Sequence, residues 1–318
     1  MKAIICTKYG SPDVLQMQEV EKPSPKDNEL LIKIYATSVT SGDARIRRAD
    51  PFIIRLIFGF KKPRRSILGV VIAGQVESVG KNVTNFNVGD QVFGTTGMAF
   101  GAYAEYQCVP ENGTLALKPN NMSYEEAAAI PFGATASLYF LRKGKIKKGQ
   151  KVLIYGASGA LGTAAVQLAK HFGAEVTAVC STSNIDMMYS LGAEKVIDYT
   201  KEDFSKNGET YDIIYETVGK SSFSDCINSL NKNGVLLLAN TEPSLLFKGL
   251  WTALSSNKKI IAGVIKESAQ QMNFFKELIE EGELKAVIDK TYPLEQIVEA
   301  HAYVDKGHKK GNVVISIN

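Results

Sequence analysis

Val152-Leu-Ile-Tyr155-Gly156-Ala-Ser158-Gly159-Ala160-Leu161-Gly162-Thr-Ala-Ala-Val-Gln-Leu-Ala-Lys170 is the stretch that decides the fold. An apolar run ends in three glycines spaced three apart, and a helical pattern follows at once. Glycines in such a turn let backbone pass close to a pyrophosphate, and the helix N-terminus aims unpaired N–H groups and positive partial charge at it. A tight packing turn between strand and helix is the plainer alternative. The correct flanks, and the strand–helix alternation that continues beyond them, favour dinucleotide binding. Gly156, Ser158, Gly159, Ala160, Leu161 and Gly162 are then the residues expected around the pyrophosphate.

The next strand, Glu175-Val-Thr-Ala-Val-Cys180, ends about twenty residues beyond the glycines, where an NAD site carries an acid for the ribose 2′-hydroxyl. Here the chain reads Ser181-Thr182-Ser183-Asn184, and its next acid, Asp186, already lies in the following helix. Hydroxyls, an amide and a helix N-terminus suit a 2′-phosphate, which a carboxylate would repel. Ser183 or Asn184 also caps that helix well, and the two roles are compatible. No Arg or Lys stands in the turn. The expectation is NADP(H) rather than NAD(H).

With 318 residues, 45% hydrophobic and 22% charged, the chain has the composition of a soluble globular protein of two domains. A net charge of +4 is too small to indicate nucleic acid. Cys6, Cys108, Cys180 and Cys226 are scattered, as reduced buried thiols in a cytoplasmic protein would be, and do not suggest disulfides or a zinc lobe. Met1-Lys-Ala-Ile-Ile-Cys6 enters a strand pattern directly, so no signal peptide is expected. No apolar run approaches the ~20 residues of a membrane span.

The two halves differ in rhythm. Up to about residue 120, short β-rich runs such as Leu30–Tyr35, Val70–Val79 and Gln91–Phe93 alternate with turns, the pattern of a small β-barrel. Ser123-Tyr-Glu-Glu126 matches a capping box. From Lys151 onward strands and helices alternate as in a doubly wound parallel sheet, with strands expected at 151–155, 175–180, 195–198, 211–215, 233–239 and 259–263. Glu267–Glu281 is the clearest helix. Beyond residue 284 come a helical Leu294–Val304 and a last strand, Asn312–Ile317, expected to return to the first domain. The expected divisions are 1–122, 123–283 and 284–318.

Several motifs in order carry a family resemblance: Tyr9–Leu15, Gly80–Gly94, Gly101–Tyr106, Glu125–Pro131, the glycine turn, and Leu191–Tyr199. Over its whole length the chain resembles the medium-chain dehydrogenases/reductases, in the quinone oxidoreductase (zeta-crystallin-like) branch. The resemblance implies an α/β chain: a GroES-like β-barrel domain on the substrate side, a Rossmann domain holding NADPH, and a cleft between them. It also implies a homodimer.

Zinc-dependent members of that family hold the metal with a Cys, a His and an acidic residue. This chain has Ser38-Val-Thr40-Ser41-Gly-Asp43 and Leu68-Gly-Val-Val71 at those segments, and its three histidines, His171, His301 and His308, lie elsewhere. No metal is expected. Without a Lewis acid, hydride transfer suits an electrophile that is already activated, a quinone or the β-carbon of an α,β-unsaturated aldehyde or ketone. Carbonyl or alcohol oxidoreduction on the same fold, and a non-catalytic NADPH-binding sensor or interaction protein, are the alternatives. Thr40 and Ser41 are the best hydroxyl donors for the developing oxyanion, although Thr40 stands where the branch commonly has Asn, and a helix-entry turn explains both equally well. Asp43 reads as a cap or ion-pair partner.

Other cofactor contacts implied by the resemblance, and by the rule that ligands gather at the carboxyl ends of parallel strands, follow the sheet. Ser181, Thr182 and Asn184 would meet the 2′-phosphate and Tyr199 the adenine. Val218 and Gly219 would reach the nicotinamide ribose, and Leu238, Ala239 and Asn240 the ring. Thr135 is either a nicotinamide contact or a helix-packing threonine. Phe52-Ile-Ile-Arg-Leu-Ile-Phe-Gly-Phe60, followed by Lys61-Lys-Pro-Arg-Arg65, reads as an apolar lid over a lipophilic substrate or as a peripheral membrane foot. Leu245–Trp251 is expected at the cleft and a dimer interface, or in ordinary core.

Overall fold

The computed structural model describes residues 1–239 and 257–317. The chain divides into two compact units, Met1–Phe132 with Glu267–Asn318, and Gly133–Lys266.

The second unit is a six-stranded parallel sheet. Its strands are β8 (Lys151–Tyr155), β9 (Glu175–Cys180), β10 (Lys195–Asp198), β11 (Tyr211–Glu216), β12 (Leu230–Leu238) and β13 (Lys259–Ala262), in the order β10-β9-β8-β11-β12-β13. Every pairing is parallel. Strand order therefore reverses beside β8, and a ligand crevice forms at such a switch point. The central strands read as unbroken apolar runs because both faces are covered: Val152, Leu153, Ile154, Ile213 and Ile214 are all fully buried. Helix α5 (Ala160–His171) carries small residues along its length, and Ala165, Val166, Leu168 and Ala169 are inaccessible. The expected strands recur, with β12 starting three residues earlier than read from sequence. Asn240 and Leu245–Trp251 lie outside the described residues.

In the first unit, β1 (Lys2–Cys6) pairs with β2 (Leu15–Glu19). A seven-stranded sheet holds β3 (Glu29–Val39), β4 (Val71–Val79), β5 (Gln91–Thr95), β6 (Tyr106–Pro110), β7 (Thr114–Leu117), β14 (Ile288–Pro293) and β15 (Asn312–Ser316). Strand β3 is the spine. It pairs with β4 through Leu30–Ala36, with β6 through Glu29–Lys33 and with β15 through Ala36–Val39. The carboxyl-terminal strand thus returns to the first unit. Its core gathers Ile4, Leu30, Ile32, Val92, Leu115, Val313 and Ile315 with Ile297 and Ala300 of the helix Ile297–Asp305.

The divisions fall at 132/133 and 266/267, where the sequence suggested 122/123 and 283/284. Two helices account for the difference. Helix α3 (Tyr124–Ala128), with the expected Ser123–Glu126 capping box, stacks Tyr124 on Tyr35 of β3 at 4.7 Å between ring centroids. The helix Ala269–Glu280 packs on β7, and the Asn121 side-chain amide donates to the Ile279 carbonyl at 3.0 Å. Both helices belong to the β-rich unit.

Candidate active site

The glycine turn is assembled from backbone. Gly156 leaves β8 with φ +79°, a conformation costly for any residue with a Cβ, and a Cβ there would stand 2.7 Å from the Thr217 hydroxyl. Thr217 locks the turn by donating to the carbonyls of Tyr155 (2.8 Å) and Gly156 (3.2 Å). Gly159 is the extended N-cap of α5 and offers no side-chain cap. The amides of Ala160, Leu161 and Gly162, in the first turn, accordingly have no intrahelical acceptor, an arrangement that suits an anion. At Gly162 a Cβ would sit 2.4 Å from the Gly156 carbonyl oxygen, so only glycine lets the helix start this close to the turn. Helix α4 (Pro131–Lys143) closes on the same point: Ser137 donates to the Leu161 carbonyl at 2.8 Å. Thr135 on that helix is buried, with a hydroxyl lacking a partner in the protein.

The turn after β9 is more specialised than its hydroxyls suggested. Asn184 donates to the Ser181 hydroxyl at 3.0 Å, and its own buried carbonyl oxygen has no partner. Thr182 is not free to meet a ligand as a donor, because its hydroxyl donates to the Asp198 carboxylate at 2.5 Å. Asp198 ends β10 in register with Cys180. Its other oxygen accepts from the Thr200 amide (3.0 Å) and hydroxyl (2.7 Å), and Lys201 stands 3.5 Å away. The hydroxyls of Thr182 and Thr200 hold the carboxyl down to about 2. Asp198 and Lys201 were missed in the sequence because only the register of β10 against β9 sets Asp198 opposite Cys180, at the turn that starts with Ser181, with Lys201 beside it. Tyr199 is exposed beyond them, its amide bonded to the Cys180 carbonyl at 3.1 Å.

Val218 and Gly219 follow β11, in a loop organised by a side chain the sequence did not single out. Glu216 is buried and its carboxylate accepts from the amides of Val218 (3.3 Å), Gly219 (2.6 and 2.8 Å) and Lys220 (3.2 Å). Burial raises its pKa, and those amides oppose the rise. Ala239, after Leu238, donates its amide to the Glu216 carbonyl at 3.0 Å. The parallel sheet thus brings the glycine turn, Ser181, Asn184, Tyr199, Val218, Gly219, Leu238 and Ala239 to one carboxyl edge.

Thr40 and Ser41 lie in the other unit, at the start of α1 (Ser41–Arg48). Thr40 is the N-cap and is buried: its hydroxyl accepts from the Asp43 amide (3.1 Å) and donates to the Asp43 carboxylate (2.6 Å). Its hydrogen is therefore committed, whereas Ser41 is exposed. Asp43 also accepts from the amides of Thr40 (3.0 Å) and Gly69 (3.2 Å), and burial lifts its carboxyl to about 6. Burial and then the Asp43 charge raise the neighbouring Tyr103 phenol well above its ordinary range. The Tyr103 ring meets His301 edge-on at 5.6 Å. Arg47, fully buried, donates to His301 Nδ1 (3.3 Å), the Gly10 carbonyl (2.6 Å) and Asp305 (2.5 Å). Burial and the adjacent Arg47 charge push His301 down to about 3, so it is a neutral acceptor.

Residues 26–119 match the alcohol dehydrogenase GroES-like domain, and residues 191–315 match a zinc-binding dehydrogenase domain. A metal does not fit the donor set here. Thr40 and Asp43 are consumed by a helix cap, Ser41 offers a lone exposed hydroxyl, Leu68–Val71 offers no ligand, and no cluster of three His, Cys, Asp or Glu occurs among the described residues. The 2-methylene-furan-3-one reductase of Solanum lycopersicum is 33% identical over 99% of this chain and 79% of its own length. The chloroplastic NADPH-dependent alkenal/one oxidoreductase of Arabidopsis thaliana is 30% identical over the same shares. The structure of a quinone oxidoreductase from Coxiella burnetii superposes with a TM-score of 0.90 at 28% identity, covering 100% of this chain and 99% of that one. The glycine turn, the reversal of strand order beside it and these full-length likenesses agree: the chain is an oxidoreductase of the medium-chain dehydrogenase/reductase family, in its quinone oxidoreductase branch.

Proposed function

We propose that the protein reduces quinones or α,β-unsaturated aldehydes and ketones with NADPH, without a metal. The observation that carries the reading is the glycine-turn cradle of the nucleotide unit; within the β-rich unit, a helix cap whose polar groups are hydroxyls and a carboxylate supports it. NADPH supplies the hydride. Amides at the start of α5 hold its pyrophosphate, and Glu216 fixes the Val218–Gly219 loop for the nicotinamide ribose.

The phosphate end is supported by Ser181, Asn184 and the ammonium of Lys201. Asp198 stays ionised, hydrogen-bonded by two threonines, and the Lys201 ammonium beside it offsets its repulsion of the phosphate. The oxygen of the substrate gains negative charge as hydride arrives, and a positioned hydroxyl stabilises it. Ser41 fills that role better than Thr40, whose hydrogen belongs to Asp43. A proton from water completes a hydroquinone or a saturated carbonyl compound.

The test is NADPH oxidation by metal-stripped protein with an ortho-quinone, a para-quinone, a long-chain alkenal, an alkenone and a simple ketone, with NADH run in parallel. Turnover of a quinone or alkenal that survives chelation is the expected result. Turnover of the ketone alone would favour a carbonyl reductase. NADPH binding without turnover of any of the five would overturn this substrate reading and favour the sensor or interaction alternative.

A further inference from the structure

The segment Phe52–Arg65 is built as a pedestal with an apolar cap. Helix α2 (Ile54–Phe58) is pinned from below: Ile54 and Phe58 pack on Tyr9, Ala49 and Ile46. The Tyr9 hydroxyl donates to the Gly59 carbonyl at 2.6 Å, the Phe58 ring meets Phe100 edge-on at 5.6 Å, and Arg64 donates its amide to the Phe58 carbonyl at 2.7 Å. Gly59, at φ +128°, turns the chain where a Cβ would strike the Lys62 carbonyl.

What this framework presents is unusual. Phe52, Ile53, Leu56, Ile57 and Phe60 are 62, 53, 59, 54 and 64% exposed, five large apolar side chains within nine residues. Isolated exposed leucines need no explanation, but a contiguous apolar patch marks a surface that meets something. Lys61, Lys62, Arg64 and Arg65 follow immediately, all exposed, and Arg55 lies among the apolar residues with its guanidinium over the rings of Tyr9 and Phe52. The chain has no Asp or Glu between Asp50 and Glu77.

We propose that this patch docks the protein on an anionic lipid surface. The aliphatic and aromatic cap enters the boundary between headgroups and acyl chains, and the cations meet the phosphates and carboxylates around it. Charge chooses this occupant. A second copy related by a two-fold axis would set one cationic rim against another. A lid over a lipophilic substrate needs its apolar side chains covered and gains nothing from four cations at its tip. An apolar patch and a basic patch together are the two signals that make peripheral attachment stable and salt-dependent. The proposal does not depend on which electrophile the protein reduces.

Flotation of the full-length protein with phosphatidylcholine vesicles, with and without phosphatidylserine, tests it. The wild type is expected to float with the anionic vesicles at least about tenfold better than with the neutral ones, and less so as salt rises. Leu56→Ser with Phe60→Ser should abolish flotation, as should Lys61→Glu with Lys62→Glu. Unchanged unfolding midpoints would show that both variants fold. Should the serine variant unfold, the charge reversal, at two exposed lysines, carries the test. Three outcomes would overturn the proposal: no flotation of the wild type with anionic vesicles, flotation undiminished in both variants, or a change in the variants from dimer to monomer in sedimentation velocity. Loss of turnover with a water-soluble quinone while flotation persists would identify a lid and equally reject it.

Discussion

The turn after β8 and the buried polar chain behind α1 are built from opposite materials. The turn is backbone: three glycines without side chains, a threonine locking the carbonyls of Tyr155 and Gly156, and amides at a helix start that suit an anion. The polar chain is made of side chains: Thr40, Asp43, Tyr103, His301 and Arg47 are buried, and Arg47 reaches out to Asp305 at the surface. The first spends stability on an open binding surface, and the second uses charge to hold a helix, α1, whose first turn carries the candidate catalytic hydroxyls. Damage to the first should therefore appear in cofactor affinity, and damage to the second in folding.

The largest effect is expected from Arg47→Ala. It strips His301 Nδ1 and the Gly10 carbonyl of their donor and leaves Asp305 with Arg48 alone. Asp305 lies at the surface and keeps Arg48, so the main cost is leaving the buried His301 acceptor and the Gly10 carbonyl without a donor, about 1–3 kcal/mol each. Scanning calorimetry should show the transition of the β-rich unit falling sharply while NADPH affinity, measured where that unit is still folded, stays within about twofold. An equal fall in affinity would show that the two regions are not separable.

Gly162→Ala is the reverse experiment. Its Cβ would meet the carbonyl of Gly156 and the backbone of Ala157 at 2.4–2.5 Å, so the cradle must open. NADPH affinity should fall at least about tenfold, or about 1.4 kcal/mol, in a titration by cofactor fluorescence. Unchanged affinity would place the pyrophosphate elsewhere.

These two regions also differ in how far the sequence revealed them. Strands 151–155, 175–180 and 195–198 and the glycine turn are local patterns, readable because a buried parallel strand and a positive-φ turn restrict residue type at each position. Thr40 and Asp43 were also local, and the cap reading of Asp43 is what the structure has. The cost of that cap, Thr40's hydroxyl hydrogen, needed geometry. Arg47 and His301 lie 254 residues apart, and nothing near either predicts the contact. Asp198 reaches the Ser181 turn only through strand register, and Glu216 looks like the last residue of a strand until its four amide contacts are seen.

Acidity separates the two titrating members of the polar chain. Asp43 ionises near 3.8 when unfolded and at about 6 when folded, so its contribution is full below 3.8 and is lost as pH rises through 6, a span of about 3 kcal/mol. His301 is opposite: its pKa falls from 6.5 to about 3, so its contribution is full above 6.5 and drains away as pH drops toward 3. Between 3.8 and 6 the slopes oppose each other. Asp43→Asn should therefore expose a steeper loss of stability on acidification than the wild type shows, and His301→Gln should remove most of that loss. Parallel curves of unfolding midpoint against pH for all three proteins would refute the assignment.

The smallest expected effect lies at the far end of the cradle, where a side chain has been added to the backbone design. Ser181→Asp puts a carboxylate where the proposed 2′-phosphate sits, near Asp198, an ionised carboxylate hydrogen-bonded by Thr182 and Thr200 and offset by Lys201. Two carboxylates with one ammonium should repel the phosphate and accept a ribose hydroxyl, shifting the ratio of kcat/KM for NADPH over NADH by about tenfold toward NADH. Lys201→Ala should weaken NADPH by less, about two- to threefold, because the lysine is largely exposed and its field is screened. It should also leave NADH unaffected, since no phosphate is lost there. If the two substitutions weaken both cofactors equally, the turn after β9 acts only on the fold of the cradle, and the contrast between a backbone site and a side-chain site holds for the whole nucleotide unit without exception.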